Sequence, residues 1–329
     1  MRPDLVNPGA IGTVLFFFVL ALLPLTAGDY LLALMVLILQ YAYLGLAWNI
    51  MMGFAGQLSL GHALYFGLGG YMTGGLLVLG GVSPWIGLPV AAATAAVMGA
   101  IIGYFGFRFS VRGIYFALLT IAAAEFARIL FDHWQFVGDS GGLFLPAVTE
   151  DTNPLAALRG GPMLFYYVLL FLTVSAFLLS ASLMRGRIGY YWRAIREDEQ
   201  AARALGVKAF RYKIAAVALS AGMTGIAGGL FALLNGSLFP HTVFGMALSI
   251  DILVAPVVGG VGTLFGPILG AFFVIPLGEM ARDLTETFGI FGLNNLINGA
   301  VLIAVVLFMP QGLWPWLVNQ LRRWRGRDA

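Results

Sequence analysis

Long stretches of this chain carry no charge at all. Val14 to Leu25 and Met163 to Leu179 run without a single Asp, Glu, Lys or Arg. Charged residues make up only 10% of the 329 positions, and 60% are hydrophobic. A soluble domain carries roughly 25% charged residues. Less than half of that share cannot cover a globular surface. A soluble enzyme, a disordered chain and a nucleic-acid binder built on a basic face are therefore excluded. The apolar runs are continuous rather than alternating, which argues against a membrane barrel. An all-α polytopic membrane protein remains. Each of its crossings needs about 20 apolar residues to traverse about 30 Å of hydrocarbon.

Apolar segments lie near 11–27, 31–52, 63–80, 85–107, 113–131, 163–184, 213–235, 247–260, 264–280 and 292–309. They predict about ten transmembrane helices (eight to ten), some short or broken, in a single transmembrane domain over 1–329. Gly259, Gly260 and Gly262 interrupt the eighth and ninth, which read as a candidate re-entrant pair. Basic residues orient the chain, because they collect on the cytoplasmic side. Eight of them fall in the loop 185–213, four in the tail 316–329, two at Arg108 and Arg112, and one at Arg2. Ten spans put all of these on one side and place both termini in the cytoplasm. The loop 132–162 then faces outward with Asp132, Asp139, Glu150 and Asp151. The first apolar run also has the length of a cleaved leader, but Asp4 offsets Arg2 in the segment before it.

The 44 glycines, with alanines, fall at packing spacing: Gly99 and Gly103; Ala221, Gly225 and Gly229; Gly262, Gly266 and Gly270. Small residues four apart let helix backbones approach closely inside lipid.

The cytoplasmic stretch Gly189 to Gly206 reads as one short amphipathic helix. At helical spacing Tyr191, Ile195, Ala202 and Leu205 share a stripe, interrupted by Asp198. Arg193, Arg196, Glu197 and Arg203 face the other way. Gly206 is placed to end the helix in a left-handed conformation. Such a helix either lies on the membrane surface or docks into a groove of another protein. The three acids Glu197, Asp198 and Glu199 disfavour an anionic leaflet and favour a protein partner.

Ionisable groups inside spans are costly and usually face a cavity or a partner. Glu125 and Arg128 are three apart on the fifth span and either pair with each other or serve the solute. Asp251, early in the eighth span, has no obvious local base and is either a solute contact or a headgroup-level carboxylate. Asn49 and the broken stretch Gly53 to His62, with Gln57, Ser59 and His62, either line a solute path or form a plain turn. His62, His133 and His241 are too scattered for a metal site, and cysteine is absent.

Several ordered motifs carry a family resemblance. Gln200-Ala201-Ala202-Arg203-Ala204-Leu205-Gly206 resembles the E-A-A-x-x-x-G loop of ABC importer permeases, with Gln200 in place of the usual Glu. Asn49 to Gly75, Arg112 to Arg128, Gly138 to Leu143 and Val257 to Ala271 are similar to signatures of the LivM-like branched-chain amino acid permeases. The resemblance runs over residues 30 to 315. It implies that 185–213 is a coupling loop seated on an ATPase, with Arg193, Arg196, Glu197, Asp198, Glu199, Gln200, Ala201, Ala202, Leu205 and Gly206 at the contact. It further implies a LivH-like second permease, two cytoplasmic ABC ATPases, a periplasmic solute-binding protein and a bacterial inner membrane. Lys208 and Lys213 are the sole lysines, and neither follows a phosphate-loop glycine. The chain thus has no nucleotide cradle of its own, and ATP and Mg belong to the partner subunits. The competing reading is a self-contained, proton-coupled secondary transporter working through Glu125 or Asp251.

Overall fold

Inside a bilayer each backbone N–H and C=O must be satisfied within the protein, and continuous helices do this with the fewest breaks. The computed structural model describes residues 8–146, 157–288, 296, 299–300, 303, 307 and 309–325. Its helices are α1 (Pro8–Leu22), α2 (Asp29–Asn49), α3 (His62–Gly80), α4 (Pro84–Arg108), α5 (Ile114–Asp132) and α6 (Pro162–Arg185). They continue as α7 (Arg187–Glu197), α8 (Glu199–Ala204), α9 (Ala209–Asn235), α10 (Pro240–Val243), α11 (Met246–Gly259), α12 (Gly266–Phe288) and α13 (Leu313–Arg325).

Among the described residues, seven helices are long and apolar enough to cross a membrane: Asp29–Phe54, His62–Gly80, Pro84–Arg108, Ile114–Asp132, Pro162–Arg185, Ala209–Asn235 and Pro240–Gly259. The chain is a polytopic helical membrane protein. The first apolar run forms a helix of 15 residues, about 22 Å, which is short of a full crossing. The eighth run is longer than its apolar core, because α10 extends it to 20 residues. The run is nevertheless interrupted between Val243 and Met246, where Gly245 is extended. The tenth run, 292–309, lies almost wholly outside the described residues, as do 147–156 of the outer loop.

Helix α9 is the axis of the molecule and is flanked by α3, α4 and α2. The small-residue spacing explains how they fit. A Cβ on Gly225 would stand 2.6 Å from Ala95 Cβ, and one on Gly228 would stand 1.9 Å from Phe66 O. Helix α2 runs on through a π-helical turn, Ile50–Phe54, before the chain leaves the helix. Such turns widen a helix and expose backbone carbonyls to new partners.

Two ends of the bundle are distinct. At one, strand β1 (Leu143–Phe144) pairs antiparallel with β2 (Ser237–Leu238), joining the loop after α5 to the end of α9. At the other, Arg112 meets Glu199, Arg196 meets Gly53, and Gly312 packs on Gly260. The basic loops and the glycine hairpin between α11 and α12 therefore share one end.

Candidate functional site

The expected single helix over 189–206 is two helices. The chain breaks at Asp198, whose backbone is extended at φ −152 and ψ 107. Its carboxylate accepts hydrogen bonds from the amides of Gln200 (2.8 Å) and Ala201 (3.0 Å). An acidic residue that caps free N–H groups starts a helix better than it continues one. The break rotates α8 away from the stripe of α7. Trp192, Ile195 and Ala202 are buried, whereas Leu205, expected on the buried stripe, is 86% exposed. The stop is as expected. Gly206 has φ +85, its N–H donates to Arg203 O, and the Val207 N–H donates to Ala202 O. That pair of bonds is a Schellman closure.

Glu199 anchors this loop. Its carboxylate binds Arg203, lies 3.2 Å from Lys213 Nζ and 4.0 Å from Arg112 Nε. Lys213 is itself buried, with Nζ 4.1 Å from the centre of the Phe107 ring. One acid thus ties α8 to the α4–α5 turn and to the start of α9. Burial pushes the Glu199 carboxyl up, but the charge and hydrogen bond of Lys213, with the charges of Arg203 and Arg112, outweigh it. The net shift is downward.

Arg196 makes the second connection. Its guanidinium donates to Gly53 O in the π-helical turn, and a Cβ on Gly262 would stand 2.5 Å from its Nη1. The same hairpin is gripped from α2 by Asn49. The Asn49 amide donates to Thr263 O at 2.8 Å and accepts from the Gly262 N–H at 2.7 Å. A Cβ on Gly53 would overlap Asn49 Oδ1 at 1.9 Å, so only glycine fits there. The 185–213 loop, the broken helix and the glycine hairpin meet at one polar node. Asn49, assigned from sequence to the solute path, belongs to that node.

The stretch after the π-turn is neither helix nor surface turn. Ser59 and His62 are buried. His62 Nδ1 is 3.1 Å from Ser59 Oγ, and Nε2 is 3.0 Å from Ser220 Oγ on α9. The Leu60 N–H donates to Thr120 on α5, the Ala63 N–H donates to Ser249 on α11, and Trp48 Nε1 donates to Ser59 O. Three helices therefore satisfy backbone that α3 leaves open, and α9 meets the His62 side chain. Gln57 donates to Ala55 O and is half-buried. Tyr65 stands edge-on to His62, and its buried hydroxyl has no partner among the described residues. Thr120, Ser220, Ser249 and Tyr65 were missed in the sequence. A lone hydroxyl in an apolar helix usually bonds its own turn, so nothing in the pattern singles these out.

The two span acids do not meet. Glu125 lies on the exposed face of α5 and pairs with Arg128 at 2.5 Å, and Arg128 also binds Asp132 at 2.7 Å. Asp251 is exposed and lines a cavity of about 210 Å³ with Tyr41, Glu279 and Arg282. Arg282 of α12 lines the same cavity, but its guanidinium pairs with Glu279 at 3.3 Å.

The family described as "Branched-chain amino acid transport system / permease component" matches residues 30–309. The chain belongs to that family. The resemblance read from its motifs is borne out. Its share of known relatives includes the high-affinity branched-chain amino acid permease protein LivM of Escherichia coli K12, 31% identical over 303 residues, 86% of this chain and 69% of that protein. A probable LivH permease of Methanocaldococcus jannaschii is 26% identical over 263 residues, 75% of this chain and 79% of that one. The autoinducer 2 import permease LsrC of Salmonella typhimurium LT2 is 29% identical over 251 residues, 73% of this chain and 68% of that one. No solved structure matches. The chain is thus a LivM-like permease subunit of the ABC importer type. A self-contained proton-coupled carrier has no support beside this.

Proposed function

We propose that this subunit carries branched-chain amino acids, or a closely related small zwitterion, across a bacterial inner membrane. A LivH-like second permease completes the pathway, two cytoplasmic ATPases supply ATP and Mg, and a periplasmic binding protein delivers the solute. The end that holds Arg112, the 185–213 loop and the glycine hairpin faces the cytoplasm, as basic loops do. The exposed face of α5, where Leu118, Phe126 and Ile129 surround Glu125, faces the second permease. Charge of that kind is unwelcome against lipid.

The observation that carries the mechanism is the Arg196 node. ATP-driven closure of the ATPases presses on α7 and α8. Arg196 passes the displacement to the π-turn of α2 through Gly53 and to the hairpin at Gly262. Asn49 keeps those two elements together, so they move as a unit. The inward mouth closes, the outward mouth opens and the binding protein releases its solute. Hydrolysis then restores the inward-open state.

Arg196→Ala tests this in the reconstituted importer. The ATPases should still co-purify, because Glu199 keeps α8 in place. Solute moved per ATP should fall by about tenfold, within the range of ordinary coupling energies. Unchanged stoichiometry would remove Arg196 from the mechanism.

A further inference from the structure

A cleft shares Leu205 and Gly206 with the coupling loop, and its two bases, Lys208 and Arg211, have no role in the transport cycle above. This cleft, of about 620 Å³, opens between α6, α7 and α9. Its volume falls within the about 300–1,000 Å³ of ligand pockets. Lys208 and Arg211 line it near the start of α9, and Tyr191 and Tyr212 flank them. Leu183, the exposed Ala215 and Leu219 line it too, Ala215 and Leu219 further along α9. No carboxylate is among the lining residues. Neither base forms an ion pair among the described residues, in contrast to Lys213, Arg203 and Arg112, which converge on Glu199.

Depth decides what fits. Lys208 immediately precedes α9, at the level where the chain leaves the bilayer. Leu219 is eleven residues further along, which is about 16 Å down the helix axis. That distance is about half of the hydrocarbon thickness. The cleft therefore joins two bases at the interface to an apolar channel at acyl-chain depth. A cytoplasmic protein reaches the bases but not the channel, and a free anion fills the mouth but not the floor. The Tyr191–Tyr212 pair, with ring centres 4.7 Å apart, sits at the headgroup level that aromatic residues favour.

We infer that this cleft is a binding site for an anionic phospholipid, with its phosphate between Lys208 and Arg211 and one acyl chain along Ala215 and Leu219. Basic pockets between membrane helices on the cytoplasmic side recognise such headgroups. The bound lipid wedges α7 against α9 through Tyr191 and Tyr212, next to the loop that receives the ATPase. The assignment rests on the sidedness proposed above.

Native mass spectrometry of the full chain in detergent tests it, using phosphatidylglycerol and phosphatidylcholine of identical acyl chains. Phosphatidylglycerol adducts should exceed phosphatidylcholine adducts by about tenfold, as two interfacial bases imply. Lys208→Gln with Arg211→Gln should bring the ratio near unity. Both residues are exposed, so the fold should survive. Ala215→Trp keeps both charges, fills the channel and should lower phosphatidylglycerol binding on its own. Equal adducts in the wild type, or a preference that survives both variants, would overturn the site. So would inorganic phosphate that displaces the lipid at equal concentration, since that marks a small-anion site. Loss of ATPase co-purification in the double variant with the lipid preference intact would assign the bases to the protein partner instead. Sidedness is scored separately. The natural chain has no cysteine, so Lys208→Cys can be labelled alone with an impermeant maleimide. Labelling only from the outer face would sink the orientation while the lipid ratio still stands or falls by itself.

Discussion

Gly206 and Asn49 mark the two extremes of what single residues disclose. A glycine after an apolar stripe announces a left-handed stop, because the requirement is local, and φ +85 meets it. Space is not the obstacle there, since nothing lies within 4 Å of a built Cβ. Gly206→Val should therefore cost about 1–2 kcal/mol of backbone strain. Gly206→Asn should be milder, because asparagine tolerates that region. Co-purification with the ATPases should follow the order Gly, Asn, Val, and a wild-type yield for valine would exclude the strain argument. Asn49 discloses nothing of the kind, since its partner Gly262 is 213 residues away. Asn49→Ala strands the half-buried Gly262 N–H and Thr263 C=O, and a fully buried group left so would cost about 1–3 kcal/mol. Thermal unfolding of the purified subunit should shift down accordingly. A shift no larger than that of an exposed variant such as Gln200→Ala would show that water replaces the amide.

At the level of elements, periodicity located the amphipathic helical segment between α6 and α9 but misjudged its shape. The stripe of Tyr191, Ile195, Ala202 and Leu205 holds only if the helix is continuous. The cap at Asp198 competes with continuity and wins, because it satisfies two amides at once. The clamp that then fixes α8 was not legible, since Arg112, Glu199 and Lys213 come from three separate segments. Glu199→Gln should be strongly destabilising, because it leaves Lys213 buried without its counter-charge, a loss of about 3–5 kcal/mol for buried pairs. Adding Lys213→Met to that variant should recover most of the stability, and a double-mutant cycle with no coupling would refute the pairing. The pH dependence has a definite sign. Glu199 titrates lower in the folded state than the about 4.3 of a free glutamate. Its contribution is thus complete above that free value and is lost as pH falls through the depressed one. Acid loosening of the loop, followed by hydrogen exchange of α8, should be weaker in Glu199→Gln with Lys213→Met than in the wild type.

For the whole molecule, charge and hydropathy were enough to give the polytopic helical class and the gathering of basic loops at one end, while seven of the expected crossings are helices long and apolar enough to span among the described residues. Those two patterns could not separate lipid-facing from partner-facing helices, since both are apolar on their outer sides. Burial makes the difference visible. Helix α9 is 72% enclosed over its apolar core, whereas α5 is only 33% enclosed and carries Glu125, Arg128 and Asp132 along its length. Helix α6 also presents apolar side chains outward, including Phe171 at 70% exposure, and its one charge is Arg185 at the terminal position. A face that mixes ion pairs with exposed apolar residues is the one expected to meet protein or solute, and a uniformly apolar face is the one expected to meet lipid. Ala122, on the same side of α5 as Glu125, is exposed and small enough to replace without strain. In the natural cysteine-free chain, Ala122→Cys should cross-link to the second permease through a short bifunctional maleimide in native membranes. Phe171→Cys should not. The reverse pattern would move the subunit interface to α6 and leave the α5 ion pairs facing lipid, where no physical argument keeps them.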